Sequence, residues 1–211
     1  LGVSLKLHPF EGYSSKMNVF EFIKTFRVIT RNISPKDAAD YLYQNYLGSD
    51  VQNMCKHVKH NLSDLCTLLI KKFGDPTRLL DEKKKLIRAL TFPQKNNKDQ
   101  QYKYFKSLSE ILDQLESLTV EHSEDYPQLV REIYSHTCHS EIVRLLPEFV
   151  KNDYSREYVN ISEELYGGDD LDGREAYRAL SKFVHHRCRQ VQLLAEKFTE
   201  EREKKEVPKK A

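Results

Sequence analysis

Apolar positions recur at helical spacing along almost the whole chain. Over residues 62–73 the apolar side chains are Leu62, Leu65, Cys66, Leu69, Ile70 and Phe73, which fall on one face of a helix. Gly74 sits where a helix C-terminal glycine belongs. Asp75-Pro76 then offers an N-cap and a first-turn proline, so one helix stops and another starts within three residues. The second helix places Leu79, Leu80, Leu86, Ile87 and Leu90 on one side, with Lys83, Lys84 and Lys85 largely on the other. After a break at residues 92–97, a third carries Tyr102, Phe105, Leu108, Leu112, Leu115 and Leu118 every three or four residues. This central stretch, 62–118, encodes packing rather than chemistry.

The flanks continue the pattern. Residues 5–12, closed by Pro9 and Gly12, form an extended lead-in whose Phe10 and Tyr13 dock on the helices after it. Asn18 caps a helix to about Thr30 with Val19, Phe22, Ile23, Phe26 and Ile29 on one face. Ser34-Pro35-x-Asp37 starts a second, with Ala38, Ala39, Leu42 and Tyr46 inward, ending at Gly48. Asp50 opens a short third to about Val58, and Asn61 or Ser63 caps the central stretch.

Downstream, a helix is predicted from about Asp125 to Cys138 with Leu129, Val130, Ile133 and Tyr134 as its stripe. Ser140 caps another, which Pro147 divides. Residues 153–165 are weakly patterned, and Gly167-Gly168-Asp169-Asp170 is an acidic loop. Asp172 caps a long helix carrying Ala176, Leu180, Phe183, Val184, Val191, Leu194 and Phe198. The reading is all-α in two lobes, 1–58 and 59–199, with a charged tail over 200–211 that frays. A first lobe of that size is marginal alone and is expected to lean on a neighbour.

Composition narrows the class. Hydrophobic content of 39% and charged content of 31% suit a helical protein and are too apolar for global disorder. A net charge of +2 points to no partner by itself. No apolar run reaches the roughly 18 residues of a membrane span, so no membrane partner is expected. The four cysteines, Cys55, Cys66, Cys138 and Cys188, form no C-x-x-C pair; the expectation is a reducing, cytoplasmic setting without disulfides. The chain begins with Leu1, which suggests a segment of a longer polyprotein.

Candidate chemistry is sparse. Cys55-x-His57-x2-His60-x5-Cys66 holds ligand types but lacks the paired spacing of a zinc site and crosses a helix junction. His136-x-Cys138-His139 is no better, and His185-His186 faces solvent on an Arg-rich helix. Without a phosphate-binding loop, HExxH or GxSxG, neither an enzyme nor a bound cofactor is expected. Residues 78–106 hold nine Lys/Arg against three acids, and Lys83, Lys84, Lys85 and Arg88 are the candidate RNA-facing residues. The bland reading of that run, a solvated helix face, carries more weight, since no stacking-aromatic motif accompanies it.

Four phrases carry a resemblance. They are Phe10-x-Gly12 before Phe20-Glu21-Phe22-Ile23-x-x-Phe26; Tyr41-Leu42-x4-Leu47-Gly48; Leu65 to Phe73 followed by Gly74; and Leu90-Thr91-Phe92-Pro93-Gln94-Lys95 before Tyr102, Phe105 and Leu108. Over residues 7–118 the chain resembles the capsid region of Gag from LTR retrotransposons of Gypsy or BEL/Pao type. It is also similar to the retrotransposon-derived capsid domain of the neuronal protein Arc. Lys95 departs from the glycine of the retroviral major homology region, Asp99 matches its acid only approximately, and phenylalanine replaces the usual tryptophan.

The resemblance implies a two-lobed, retroviral-capsid-like helical bundle that self-associates into dimers and into the pentamers or hexamers of a shell. It implies RNA held weakly or by a region outside this segment. Gln94, Tyr102 and Phe105 would lock the second lobe, and the helix carrying Leu129, Val130, Ile133 and Tyr134 would make a two-fold contact. The alternative is a helical adaptor or RNA-binding module, including a domesticated Gag, that forms no shell.

Overall fold

Helix starts in this chain are set by short polar side chains. A computed structural model describes residues 7–121, 124, 127–166 and 172–206; of residues 121, 161–162, 164–166 and 197–206 only the backbone course is described. The carbonyl oxygen of the Asn18 side chain accepts from the Phe20 and Glu21 N–H groups and starts α1 (Val19–Ile29). Ser34 accepts from the Asp37 N–H ahead of α2 (Pro35–Asn45), and α3 (Ser49–Cys55) follows after Gly48. Asn61 caps α4 (Leu62–Phe73), Asp75 caps α5 (Pro76–Ala89) and Asn97 caps α6 (Lys98–Glu121). Each such cap is worth about 1 kcal/mol by satisfying an otherwise orphaned donor.

Beyond α6 come α7 (Pro127–Ile133), α8 (His136–Arg144), α9 (Glu148–Tyr166) and α10 (Gly173–Glu206). Among the described residues the fold is all-α: ten helices, two short 3-10 turns, and a single isolated bridge in place of any strand.

The single helix expected over 125–138 is two. Ser135 accepts from the Cys138 N–H and restarts the chain as α8, so the cap lies five residues before the expected Ser140. Pro147 does divide α8 from α9. Weakly patterned residues 153–165 lie within α9, where Val150 and Tyr154 are the buried residues among the described side chains. The helix after Asp172 does not stop at Thr199 but runs to Glu206.

The chain divides into two compact units, residues 1–82 and 83–211, and the division falls inside α5. The boundary expected after residue 58 falls inside the first of these units. α4 does not open the second unit; it packs on α1 and α2 in the first. Leu65, Cys66 and Leu69 are buried there with Phe22, Phe26, Ala39 and Leu42, a core that α1–α3 alone would leave uncovered. A fully buried leucine adds about 1.5–3 kcal/mol, so the three residues supplied by α4 matter to a unit of this size.

The lead-in belongs to the same core. Phe10, 1% exposed, stacks on Phe22 at 5.0 Å and meets Phe73 edge-on at 5.3 Å. Its N–H donates to the Tyr46 carbonyl at 2.9 Å, and its own carbonyl accepts from the Gly48 N–H at 2.9 Å, forming a parallel bridge to Leu47. Gly12 adopts φ +88°, a left-handed conformation, and a Cβ there would lie 2.8 Å from the Phe73 ring. Tyr13 packs edge-on to Phe73, stacks under the Arg78 guanidinium at 4.2 Å, and accepts from the Asp75 N–H at 3.3 Å. The Gly74-Asp75-Pro76 corner is therefore part of the first unit.

In the second unit α6 and α10 lie along one another, with α7 against α6 and with α8 and α9 against α10. Leu108, Leu112, Leu115, Leu180 and Val184 form the seam, each at most 1% exposed. Tyr177 crosses it and donates its hydroxyl to the Leu112 carbonyl.

Candidate interaction surfaces

Three sets of residues stand out in the sequence as candidate sites, and the fold gives each a different environment. The lysines of α5 come first. The buried residues of this helix are Leu79, Leu80, Lys83, Lys84 and Ile87, spaced i, i+1, i+4, i+5, i+8. Lys83 and Lys84 therefore occupy core-face positions, and Leu86, expected inside, is 45% exposed. The Lys83 ammonium donates to the Gln114 side-chain oxygen at 2.6 Å, and Lys84 pairs with the Glu141 carboxylate. Their long stems cover apolar surface while the heads find polar partners. These two are not RNA-facing.

Lys85 and Arg88 are exposed. Lys84→Ala should lower the melting temperature by several degrees through lost stem packing and the lost pair, whereas Arg88→Ala should leave it within about a degree. Thermal unfolding followed by circular dichroism checks this. Equal effects from the two substitutions would contradict the assignment.

The element resembling the major homology region is closed by residues that its sequence pattern does not single out. Gln94 is exposed, and it contributes through its backbone. Its N–H donates to the Gln100 side-chain oxygen at 2.9 Å, and its carbonyl accepts from the Gln101 side-chain amide at 3.3 Å. Gln101, 6% exposed, also donates to the Lys95 carbonyl and so latches the loop onto the first turn of α6. Phe105 is core, at 3% exposed, but Tyr102 is only half-buried. Tyr104 takes the buried place. Its ring lies edge-on to Phe105 at 5.5 Å, its hydroxyl is buried without a partner, and burial pushes its pKa up.

Gln101 and Tyr104 share one helical stripe with Phe105 and Leu108, so a register running through Tyr104 in place of Tyr102 finds both. Phe92, two residues before Gln94 in the same phrase, is 56% exposed and lies nearly perpendicular to the Tyr104 ring at 6.4 Å.

The proposed two-fold helix is used internally. Leu129 and Ile133 are fully buried where α7 meets α6, and Val130 is half-buried. The Tyr134 hydroxyl lies 2.9 Å from Thr119 Oγ1, and the Tyr134 ring packs edge-on to Tyr177 with Arg174 over it at 5.1 Å. A contact between copies through Leu129 and Ile133 would require unpacking the core. The stripe could not say this, because periodicity fixes a face and not its partner.

The ligand-type residues are dispersed. Cys55 and Cys66 are buried in the first unit, His57 is exposed, and His60 lies 2.9 Å from Asp40. His139 Nε2 lies 2.8 Å from the Tyr154 hydroxyl, and burial followed by the His136 charge holds its pKa below the usual imidazole range. His185 reaches Asp113 at 2.8 Å. All four cysteines are free, and burial raises the Cys138 pKa to about 11. Among the described residues no group of three or more His, Cys, Asp or Glu side chains is placed to hold a metal ion. No described helix is long and apolar enough to cross a membrane. The acidic stretch Gly167-Gly168-Asp169-Asp170 lies outside the described residues.

No protein-family model, curated protein or solved structure matches this chain.

Proposed function

We propose that the chain is a structural, non-enzymatic capsid protein of Gag type that self-associates into a particle enclosing retroelement RNA in the cytoplasm. The observation that carries this reading is the convergence of three of the resembling phrases on one core. Phe10-x-Gly12 pairs backbone to backbone with Leu47-Gly48, and both Phe10 and Gly12 close onto Phe73 at the end of α4. Residue types that look like family signatures in the sequence are thus the ones that build the first unit.

A closed shell needs at least two kinds of contact per chain, and weak contacts suffice because closure multiplies them. Each unit offers apolar side chains to solvent. The first exposes Val28, Ile33 and Tyr41 at 41–54%, and the second exposes Leu86, Val120, Val159 and Leu193 at 45–73%. With Leu129 and Ile133 committed to the core, these replace them as the candidate contacts.

The test is a Val28→Asp, Ile33→Asp double variant compared with the wild type by negative-stain electron microscopy at high protein and salt concentration. Both side chains are exposed, so helicity should be unchanged while particle formation is lost. Particles of normal yield from the double variant would remove this face from the assembly, and an absence of wild-type particles would leave the adaptor reading.

A further inference from the structure

We infer that the corner between α5 and α6 is a binding site for single-stranded RNA, with Phe92 as the platform on which one base stacks. The corner holds a cleft of about 400 Å³ lined by Ala89, Leu90, Thr91, Phe92, Gln100, Lys103, Tyr104 and Ser107. That volume admits a nucleobase. The ring of Phe92 is 56% exposed, although it is held nearly perpendicular to buried Tyr104 at 6.4 Å. A large aromatic held in place with a face open to solvent is what sequence-tolerant base stacking requires.

Charge selects a polyanion as the occupant. Residues 85–107 contain six Lys/Arg (85, 88, 95, 98, 103 and 106) and one acid, Asp99, whereas the whole chain is only +2. The remainder of the chain is therefore net negative, and the positive charge is gathered around this corner. Arg88, Lys95, Lys103 and Lys106 are exposed, and Lys103 lines the cleft itself. A protein partner would be expected to meet a wider apolar patch with fewer cations at its centre. The neutral polar groups of Thr91, Gln100 and Ser107 lie at the cleft wall, within the same element, for a base edge or sugar. Lys83 and Lys84 take no part, being internal.

A single strand is required because a base inside a duplex offers no free face. The choice of RNA over DNA rests on the function proposed above, but the site does not depend on assembly, which is read separately by microscopy. The chain has no tryptophan, so Phe92→Trp places a single tryptophan at the platform, whose emission can be excited apart from that of the twelve tyrosines. Titrating that variant with a uridine dodecamer at low salt should quench its emission. A 12-base-pair RNA duplex should bind more weakly without quenching.

In parallel anisotropy measurements on labelled oligouridine, Phe92→Ala should weaken binding about tenfold, while Phe92→Tyr retains it. Lys103→Ala should weaken binding several-fold and make its salt dependence shallower. Binding without quenching, unchanged affinity in Phe92→Ala, an equal preference for the duplex, or tighter binding to the matching DNA strand would each overturn the assignment.

Discussion

Gly173→Ala is expected to destabilise the second unit by about 3 kcal/mol, by overpacking against backbone that has little room to retreat. Gly173 is the first residue of α10, and a Cβ placed on it would lie 1.8 Å from the Tyr134 carbonyl oxygen and 2.9 Å from the carbonyl carbon. Those atoms lie in the link between α7, which ends at Ile133, and the Ser135 cap that starts α8. The new methyl group would have to displace one helix start or the other. General helix propensity points the opposite way, since alanine is favoured over glycine by up to about 1 kcal/mol inside helices. The sign is therefore diagnostic. Chemical denaturation of the intact chain should show a lower midpoint for the variant, and a midpoint equal to or above that of the wild type would show that the close approach does not exist.

Phe10→Ala is expected to cost the first unit about 3–5 kcal/mol, the usual range for deleting a buried aromatic. Phe10 is buried between Phe22 and Phe73, and its backbone forms both hydrogen bonds of the bridge to Tyr46 and Gly48. A typical domain has only about 5–15 kcal/mol in total, so the loss should be visible as greatly accelerated amide exchange at the Gly48 N–H. Phe10→Leu, which keeps most of the apolar volume, should recover much of the protection. If Phe10→Ala leaves exchange at Gly48 unchanged, the lead-in is not part of the core.

Local signals are more legible in the sequence than register and partner. Asn18, Ser34, Asp75 and Asp172 each combine a capping side chain with an apolar run and each starts a helix as expected, and of Asn61 and Ser63 it is Asn61 that caps α4. The misreadings share a physical origin in tertiary packing. Lys83 and Lys84 sit on the buried stripe of α5, and treating lysine as a surface residue turns that helix face outward. Gln101 and Tyr104 escape notice for the related reason that polar atoms at core positions look like solvent positions until their partners are known.

The division between the units is hard to place from sequence because the face of α4 is evident and its partners, α1 and α2, are not. Ser135 is obscured because the apolar stripe of α7 continues into α8 at nearly the same spacing, so only the change in backbone course reveals two helices.

On the capsid reading proposed above, the burial of Leu129 and Ile133 moves the expected contacts between copies to other residues. Exposed apolar residues remain on both units, and Leu193 and Leu194 in the second half of α10 are 59% and 41% exposed. Such positions are single side chains rather than large patches, which fits contacts that are weak one at a time.

Sedimentation velocity of the wild-type chain over a rising concentration series at high salt tests self-assembly most directly. The capsid reading predicts that the 24.9 kDa monomer boundary gives way cooperatively to a discrete, fast-sedimenting species of megadalton size. A single monomer boundary at every concentration and salt would contradict it.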